Sequence, residues 1–147
     1  MAAIVADPEV MRFSTNGPLD LAATRTLIER ALQSYEQHGF GRWAVIERVS
    51  EALIGFCGVY LLTIDGVSQP ELGYRLARSR WGLGLATEAA IASRDVALES
   101  YGIERLVAVI EAENVGSIRV AEKAGFRIER STTYKGLAVG IYVWEVG

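Results

Sequence analysis

The chain has one cysteine, one histidine and three prolines in 147 residues. Cys57 alone can form no internal disulfide, and with His38 as the single histidine there is no donor cluster for a structural zinc site. A membrane span needs about 18 consecutive apolar residues, and no such run occurs. The N-terminus lacks a basic stretch followed by an apolar one, so it does not read as a signal peptide, and a cytoplasmic location is the default expectation. Basic residues are also few, 15 against 18 acidic ones, for a net charge of −3. Nucleic-acid binders usually carry a basic face, so neither nucleic acid nor membrane is expected as a partner. So small a charge leaves room for a cationic substrate without selecting one.

What is present suits one globular unit. Half the residues are hydrophobic and 22% are charged, which is the balance of a folded chain long enough to bury a core. No repeat, linker or low-complexity tract interrupts it, so residues 1–147 read as a single domain. Asp7 to Gly17 is irregular and closed by Asn16-Gly17-Pro18. Leu21 to His38 reads as an amphipathic helix, with Leu21, Leu27, Ile28, Ala31, Leu32 and Tyr35 at helical spacing and Gly39 as its stop. Strands follow over Arg42–Val49, Ala52–Ile64 and Gln69–Ala77, the second apolar enough for a central position. Leu85–Ser100 is an alanine-rich helix ended by Tyr101-Gly102, and Ile103–Ile110 is another buried strand. Asn114 stands as the N-cap of a short helix that stops at Gly125-Phe126. Arg127–Tyr134 and Leu137–Val146 form a closing hairpin around Lys135-Gly136. The order predicts an α/β fold (α+β in some schemes): a mixed, partly splayed sheet flanked by helices, with parallel pairing near its middle. Strands separating there would leave a crevice beside the turn before Leu85.

That turn, Trp81-Gly82-Leu83-Gly84-Leu85-Ala86-Thr87, is the most informative stretch. Two glycines between a strand and a helix let a ligand approach the backbone and aim free N–H groups at one point, at the positive end of a helix dipole. A phosphorylated ligand fits such a place. A dinucleotide fingerprint would need a third glycine where Thr87 stands, and a nucleoside-triphosphate loop would need a lysine that is missing. A tight turn packed for its own sake stays open as the bland alternative.

Trp81 to Ala89, followed by Asn114-Val115-Gly116-Ser117 and on through Glu122-Lys123-Ala124-Gly125-Phe126, resembles the GNAT N-acetyltransferase superfamily. Within it the chain is most similar to the RimJ/RimL-like branch, best known for acetylating N-termini of ribosomal proteins. Asp7-Pro8-Glu9-Val10-Met11, Leu53-Ile54-Gly55 and Glu71-Leu72-Gly73-Tyr74 extend the likeness over nearly the whole chain. It implies acetyl-coenzyme A as co-substrate, no metal, and a primary amine as acceptor, either a protein N-terminus or a small molecule. By the match, Trp81, Gly82, Leu83, Gly84, Leu85, Ala86 and Thr87 hold the diphosphate, and the strand end from about Tyr74 through Leu76 and Ala77 pairs with the pantetheine arm. The N–H of Leu76 then faces the thioester carbonyl, and Asn114 contacts the arm or simply caps its helix. Glu71, taken to lie at the start of its strand, is the candidate base, with a solvated carboxylate as the alternative. Glu111 and Glu113 are weaker candidates that could attract a cationic acceptor.

Three departures from the family pattern stand out. Many members place a tyrosine before the Glu-Lys pair to protonate the leaving thiolate; here that position is Ala121. RimJ/RimL-type relatives use a serine three residues after the asparagine, matched by Ser117, which would hydrogen-bond the sulfur or else be a capping serine. Trp81 replaces the more usual Gln or Arg. Relatives also begin with a strand ahead of Asp7, so the sheet would lack its first edge strand; a shortened chain, or a partner or rearrangement covering the edge, are both open, and a homodimer is one way to cover it. Cys57, Trp43, Trp144, Phe56 and Tyr142 read as core, with one or two of the aromatics lining an acceptor pocket as the alternative, and His38 as an exposed helix end. Arg78 and Arg80 either steer phosphates or are solvated. The expected activity is direct N-acetyl transfer in a ternary complex. The rivals are a non-catalytic acyl-coenzyme A-binding regulatory module and, in another class, a dinucleotide-dependent oxidoreductase.

Overall fold

Glycines at positive φ end every long helix of this chain. The computed structural model describes residues 1–147. A short helix α1 (Ala2–Val5) precedes α2 (Leu21–His38), which Asp20 caps by accepting from the Ala23 N–H at 2.8 Å. Gly39, at φ 80°, reverses the chain into β1 (Arg42–Ile46). Strands β2 (Leu53–Ile64) and β3 (Val67–Leu76) complete an antiparallel meander. After the turn come α3 (Leu85–Tyr101), β4 (Arg105–Glu111), α4 (Val115–Lys123) and the hairpin β5 (Arg127–Tyr134) and β6 (Leu137–Glu145). α4 ends in a Schellman motif: Phe126 N–H donates to Ala121 O and Gly125 N–H to Glu122 O, with Gly125 at φ 88°.

The six strands lie in the order β1-β2-β3-β4-β6-β5, with β1 and β5 at the edges. The expected meander and central parallel pair are both present. The hairpin departs from a simple chain-order reading, because its second strand slots in beside β4 and leaves β5 outside. β6 earns the inner place by its apolar run: Val139, Ile141 and Tyr142 are buried, whereas β5 is polar and exposed. β1 stops at Ile46, short of the expected Val49, because a bulge and a tight turn intervene. In that turn Glu47 N–H donates to Ala52 O, and Glu51 sits at φ 56°.

The main core lies between the sheet and the α3–α4 layer. Phe126, Leu106, Val59 and Cys57 are nearly or wholly inaccessible there. The face of α3 toward the sheet is Ala90, Ser93 and Ala97, small residues that let the helix sit close. Ser93 Oγ donates to Cys57 Sγ at 3.3 Å, and burial pushes the thiol up to about 11, so Cys57 is an inert core residue as expected. The opposite face is covered by α2 and the N-terminal segment, where Val5, Val10 and Met11 pack on Phe56. α2 is rotated relative to the expected apolar stripe. Thr24 is its buried residue and Leu27, Ala31 and Tyr35 are partly covered, while Leu21, Ile28 and Leu32 face outward. No helix is long and apolar enough to cross a membrane.

Candidate active site

The sheet is split at its centre. β3 and β4 share one register pair, Glu71 opposite Val107, and beyond it toward their carboxyl ends they part. The Val109 N–H, which would continue the ladder, donates instead to Glu71 Oε1 at 3.3 Å. Glu71 thus sits mid-strand at the apex of the opening and is 6% exposed. This corrects both the position at a strand start and the solvated alternative, because β3 begins four residues earlier, at Val67. Burial raises its carboxyl above the usual range, against the lowering effects of Tyr60, the Val109 N–H, Arg42 and Arg75. Oε2 is buried and makes no hydrogen bond of normal geometry.

At the open end of β3 the backbone offers a donor. Ala77 N–H donates to Ile54 O at 2.7 Å, and antiparallel alternation then turns the Leu76 N–H away from β2 and into the gap. Gly55 lies opposite Leu76, where a Cβ would overlap the Arg75 carbonyl oxygen, so the two strands approach closely just where this donor must be aimed.

The turn after β3 follows at once. Trp81 Nε1 donates to Leu76 O at 3.0 Å and pins the turn to the strand end. Gly82 and Gly84 adopt φ 74° and 76°, and a Cβ at either would meet no atom within 4 Å, so the backbone angle is what demands glycine. The first bond of α3 is Glu88 N–H to Gly84 O. The six preceding amides, Gly82, Leu83, Gly84, Leu85, Ala86 and Thr87, have no acceptor in the protein, and no side chain caps the helix. They form an anion-binding nest at a helix N-terminus. Arg80 is not free to join them. Its guanidinium makes two bonds to Glu47, at 2.9 and 3.1 Å, which ties the turn to the end of β1. Arg78 is exposed beside it.

Across the gap, Asn114 caps α4 as expected, its Oδ1 accepting from Ser117 N–H at 3.2 Å. Ser117 Oγ lies 2.8 Å from the Tyr74 hydroxyl, which is also 3.0 Å from Ser117 O. Burial pushes Tyr74 up to about 12. The sequence places this tyrosine in the strand end expected to pair with the pantetheine arm, not beside Ser117; the signal available for the contact was an alternation that sends Leu72, Tyr74 and Leu76 to the α4 side. Ala121 is packed in the core one turn beyond Ser117.

On the other face a cavity of about 850 Å3 runs from α2 to the split. Glu71, Arg42, Arg75, Tyr60, Asn114 and Ser117 all line it, as do Glu111 and Phe56. Glu113 in the β4–α4 turn is exposed, and His38, exposed at the end of α2, lies at the rim of the cavity. Trp43, Trp144 and Tyr142 pack in or against the main core.

Known proteins match this chain in sequence and in fold. A family model described as Acetyltransferase (GNAT) domain matches residues 1–127. An uncharacterized N-acetyltransferase, p20 of Bacillus licheniformis, is 29% identical over 146 residues, spanning 96% of this chain and 82% of its own. Among solved structures, an acetyltransferase of Agrobacterium tumefaciens superposes with a TM-score of 0.83 at 25% identity, covering 99% of this chain and 82% of that one. The enzyme AAC(6')-Ib, solved with paromomycin and acetyl-coenzyme A, has a TM-score of 0.81 at 16% identity, covering 98% and 85%, and is alike in fold. The mixed six-stranded sheet flanked by helices is that of these acetyltransferase structures.

Proposed function

The chain belongs to the GNAT acetyltransferase family, and we propose that it transfers an acetyl group from acetyl-coenzyme A to a primary amine, by direct attack with both bound at once. One observation carries this reading: six unpaired amides from Gly82 to Thr87 stand next to a free strand edge at Leu76. The nest suits a diphosphate and the open edge suits an extended amide-bearing arm. Acetyl-coenzyme A supplies the activated acetyl thioester. AAC(6')-Ib, alike in fold, was solved with acetyl-coenzyme A, which supports the same co-substrate.

Each residue then has a task. The Leu76 N–H donates to the carbonyl oxygen as negative charge grows there. Asn114, with Oδ1 committed to its cap, has its amide NH2 left to hold the arm. Glu71 takes the proton from the incoming ammonium, and a carboxylate whose pKa is raised by burial is better matched to that work near neutrality. Ser117 presents its hydroxyl to the departing sulfur. When Tyr74 donates to Ser117 Oγ, the serine proton is free to turn to the sulfur, which gives the tyrosine a positioning role and offsets the lack of one at Ala121. The match of Asp7–Met11 and Ser117 to the RimJ/RimL-like branch belongs to the same reading.

Calorimetry with coenzyme A, followed by thiol release from acetyl-coenzyme A over an amine panel, tests the assignment. Saturable binding and amine-dependent thiol release are expected. Binding without release on any amine would favour the regulatory module, and neither signal would end the reading. Within the active enzyme, Ser117→Ala is expected to lower kcat about tenfold to a hundredfold. Tyr74→Phe should lower it less, and adding it to Ser117→Ala should change little, as steady-state thiol release will read.

A further inference from the structure

The wall of the acceptor cavity carries an unbalanced charge pattern that speaks to the substrate. Arg42 from β1, Tyr60 from β2 and Glu71 and Arg75 from β3 project from one face of the sheet, because Arg42 pairs with Gly58, Gly58 with Gly73, Tyr60 with Glu71 and Phe56 with Arg75. The two glycines leave that row without side chains, and Tyr60 leans over Gly73. The Arg42 guanidinium lies over the Tyr60 ring at 3.9 Å and over the Phe56 ring at 5.3 Å. Aromatic contact fixes the cation, with the Tyr60 hydroxyl beside it, and leaves most of its five donors free. No carboxylate lies within salt-bridge distance of Arg42, and its Nε is buried without a partner. Arg75 spends one donor on the Tyr74 carbonyl, at 2.8 Å, and has no carboxylate within salt-bridge distance, Glu71 acting on it from farther off. Glu71 Oε2 is the third unpartnered group of the cluster.

Two arginines face one carboxylate here, Glu71, whose pKa both lower, so the cluster holds one more positive charge than it can pair; with Arg42 Nε and Glu71 Oε2 buried without a hydrogen bond, it points to a ligand that brings a carboxylate beside its amine. The cavity wall as a whole agrees. Four side chains of Arg or Lys line it against three of Asp or Glu, in a chain whose overall charge is negative. One of the three, Asp20, is already engaged as the cap of α2. A polyamine or aminoglycoside would meet too few free carboxylates here.

Resting on the acetyltransferase reading, we propose that the acceptor is an amine that also carries a carboxylate, of the amino-acid kind. Arg42 and Arg75 receive the carboxylate and Glu71 receives the ammonium. In the transfer the substrate nitrogen replaces sulfur on the acetyl carbon. The ammonium loses two protons on the way to the amide: Glu71 takes the first, and the second reaches the sulfur by way of Ser117, so the C–S bond breaks and coenzyme A leaves as the thiol. A bidentate guanidinium–carboxylate pair is specific enough to set this preference.

The experiment measures thiol release from acetyl-coenzyme A with the twenty amino acids, their carboxamides, spermidine, and peptides beginning with Ala-Glu or Ala-Ala. At least one free acid should exceed its own amide and spermidine by tenfold or more in kcat/KM. An Ala-Glu preference over Ala-Ala, without reaction of free acids, would place the same carboxylate recognition on peptide N-termini. Arg42→Met should raise KM for the preferred acid at least tenfold and collapse the acid-over-amide ratio toward one. Arg75→Met gives the same readout should the first variant not fold. Amides or spermidine turned over as well as the acids, or a ratio unchanged in both variants, would overturn the proposal. Coenzyme A binding in the same preparation separates that failure from failure of the acetyltransferase reading.

Discussion

Glu71→Gln should lose at least a hundredfold in kcat/KM and yet melt at a higher temperature than the parent protein at pH 8. The first effect follows from removing a proton acceptor, whose contribution is commonly 10² to 10⁴. The second follows from burial. The folded protein holds this carboxyl at a raised pKa, with desolvation outweighing Tyr60, the Val109 N–H, Arg42 and Arg75. A carboxyl that binds its proton more tightly when folded adds stability at pH values below its unfolded pKa of about 4.3. That contribution is lost as pH rises through the higher folded value, leaving the fold with a buried charge. Glutamine keeps an oxygen for the Val109 N–H and brings no charge. Thermal unfolding should therefore favour the variant at pH 8 and show no gain at pH 4. The parent's kcat/KM should rise with pH along an acidic limb set by Glu71, and the variant should lack that limb. A variant that keeps its activity, or that melts lower at pH 8, would remove Glu71 from the role of base.

Gly84→Val is expected to weaken coenzyme A binding at least a hundredfold while the chain still folds. The valine must adopt φ near 76°, a left-handed conformation that costs L-residues about 1–2 kcal/mol. No atom lies within 4 Å of the added Cβ, so packing adds nothing, and the melting temperature should fall by about 3–8 °C. The loss of binding has another origin: a branched side chain occupies the open space through which a diphosphate reaches the amides of Gly82 to Thr87. Gly136→Val supplies the control. Gly136 has φ 78° and equal space around it, but lies in the β5–β6 turn. It should suffer the same strain and keep its affinity by calorimetry. Equal loss of affinity in both variants would mean that strain alone, not blocked access, explains Gly84.

Elements that a local signal punctuates were readable from the chain. Gly39, Gly102 and Gly125 mark the ends of α2, α3 and α4 because only a positive φ there ends the helix in the observed way. Asn114 was readable as a cap, and Lys135-Gly136 as a hairpin turn, for the same kind of reason. What needed long-range partners was not. Of the expected stripe of α2, Leu27, Ala31 and Tyr35 are partly covered, beside a buried Thr24 outside it, whereas Leu21, Ile28 and Leu32 are exposed, and the sheet beneath decides which half is covered. β6 sits between β4 and β5 because its residues bury better, which is a comparison across strands. In the site, the unpaired amides were legible from two glycines before a helix. The fate of Glu71 was not, since it depends on where β3 and β4 part. The Tyr74–Ser117 contact joins residues 43 apart in sequence. Arg80 looked available for phosphate, and only the folded chain shows that Glu47 has claimed it.

The lone register pair between β3 and β4 has a mechanical meaning. It makes the sheet two ribbons hinged at one rung, with Glu71 as the pin and the helical layer as the spring that resists opening. A molecule lying across the mouth acts as a strut between the ribbons.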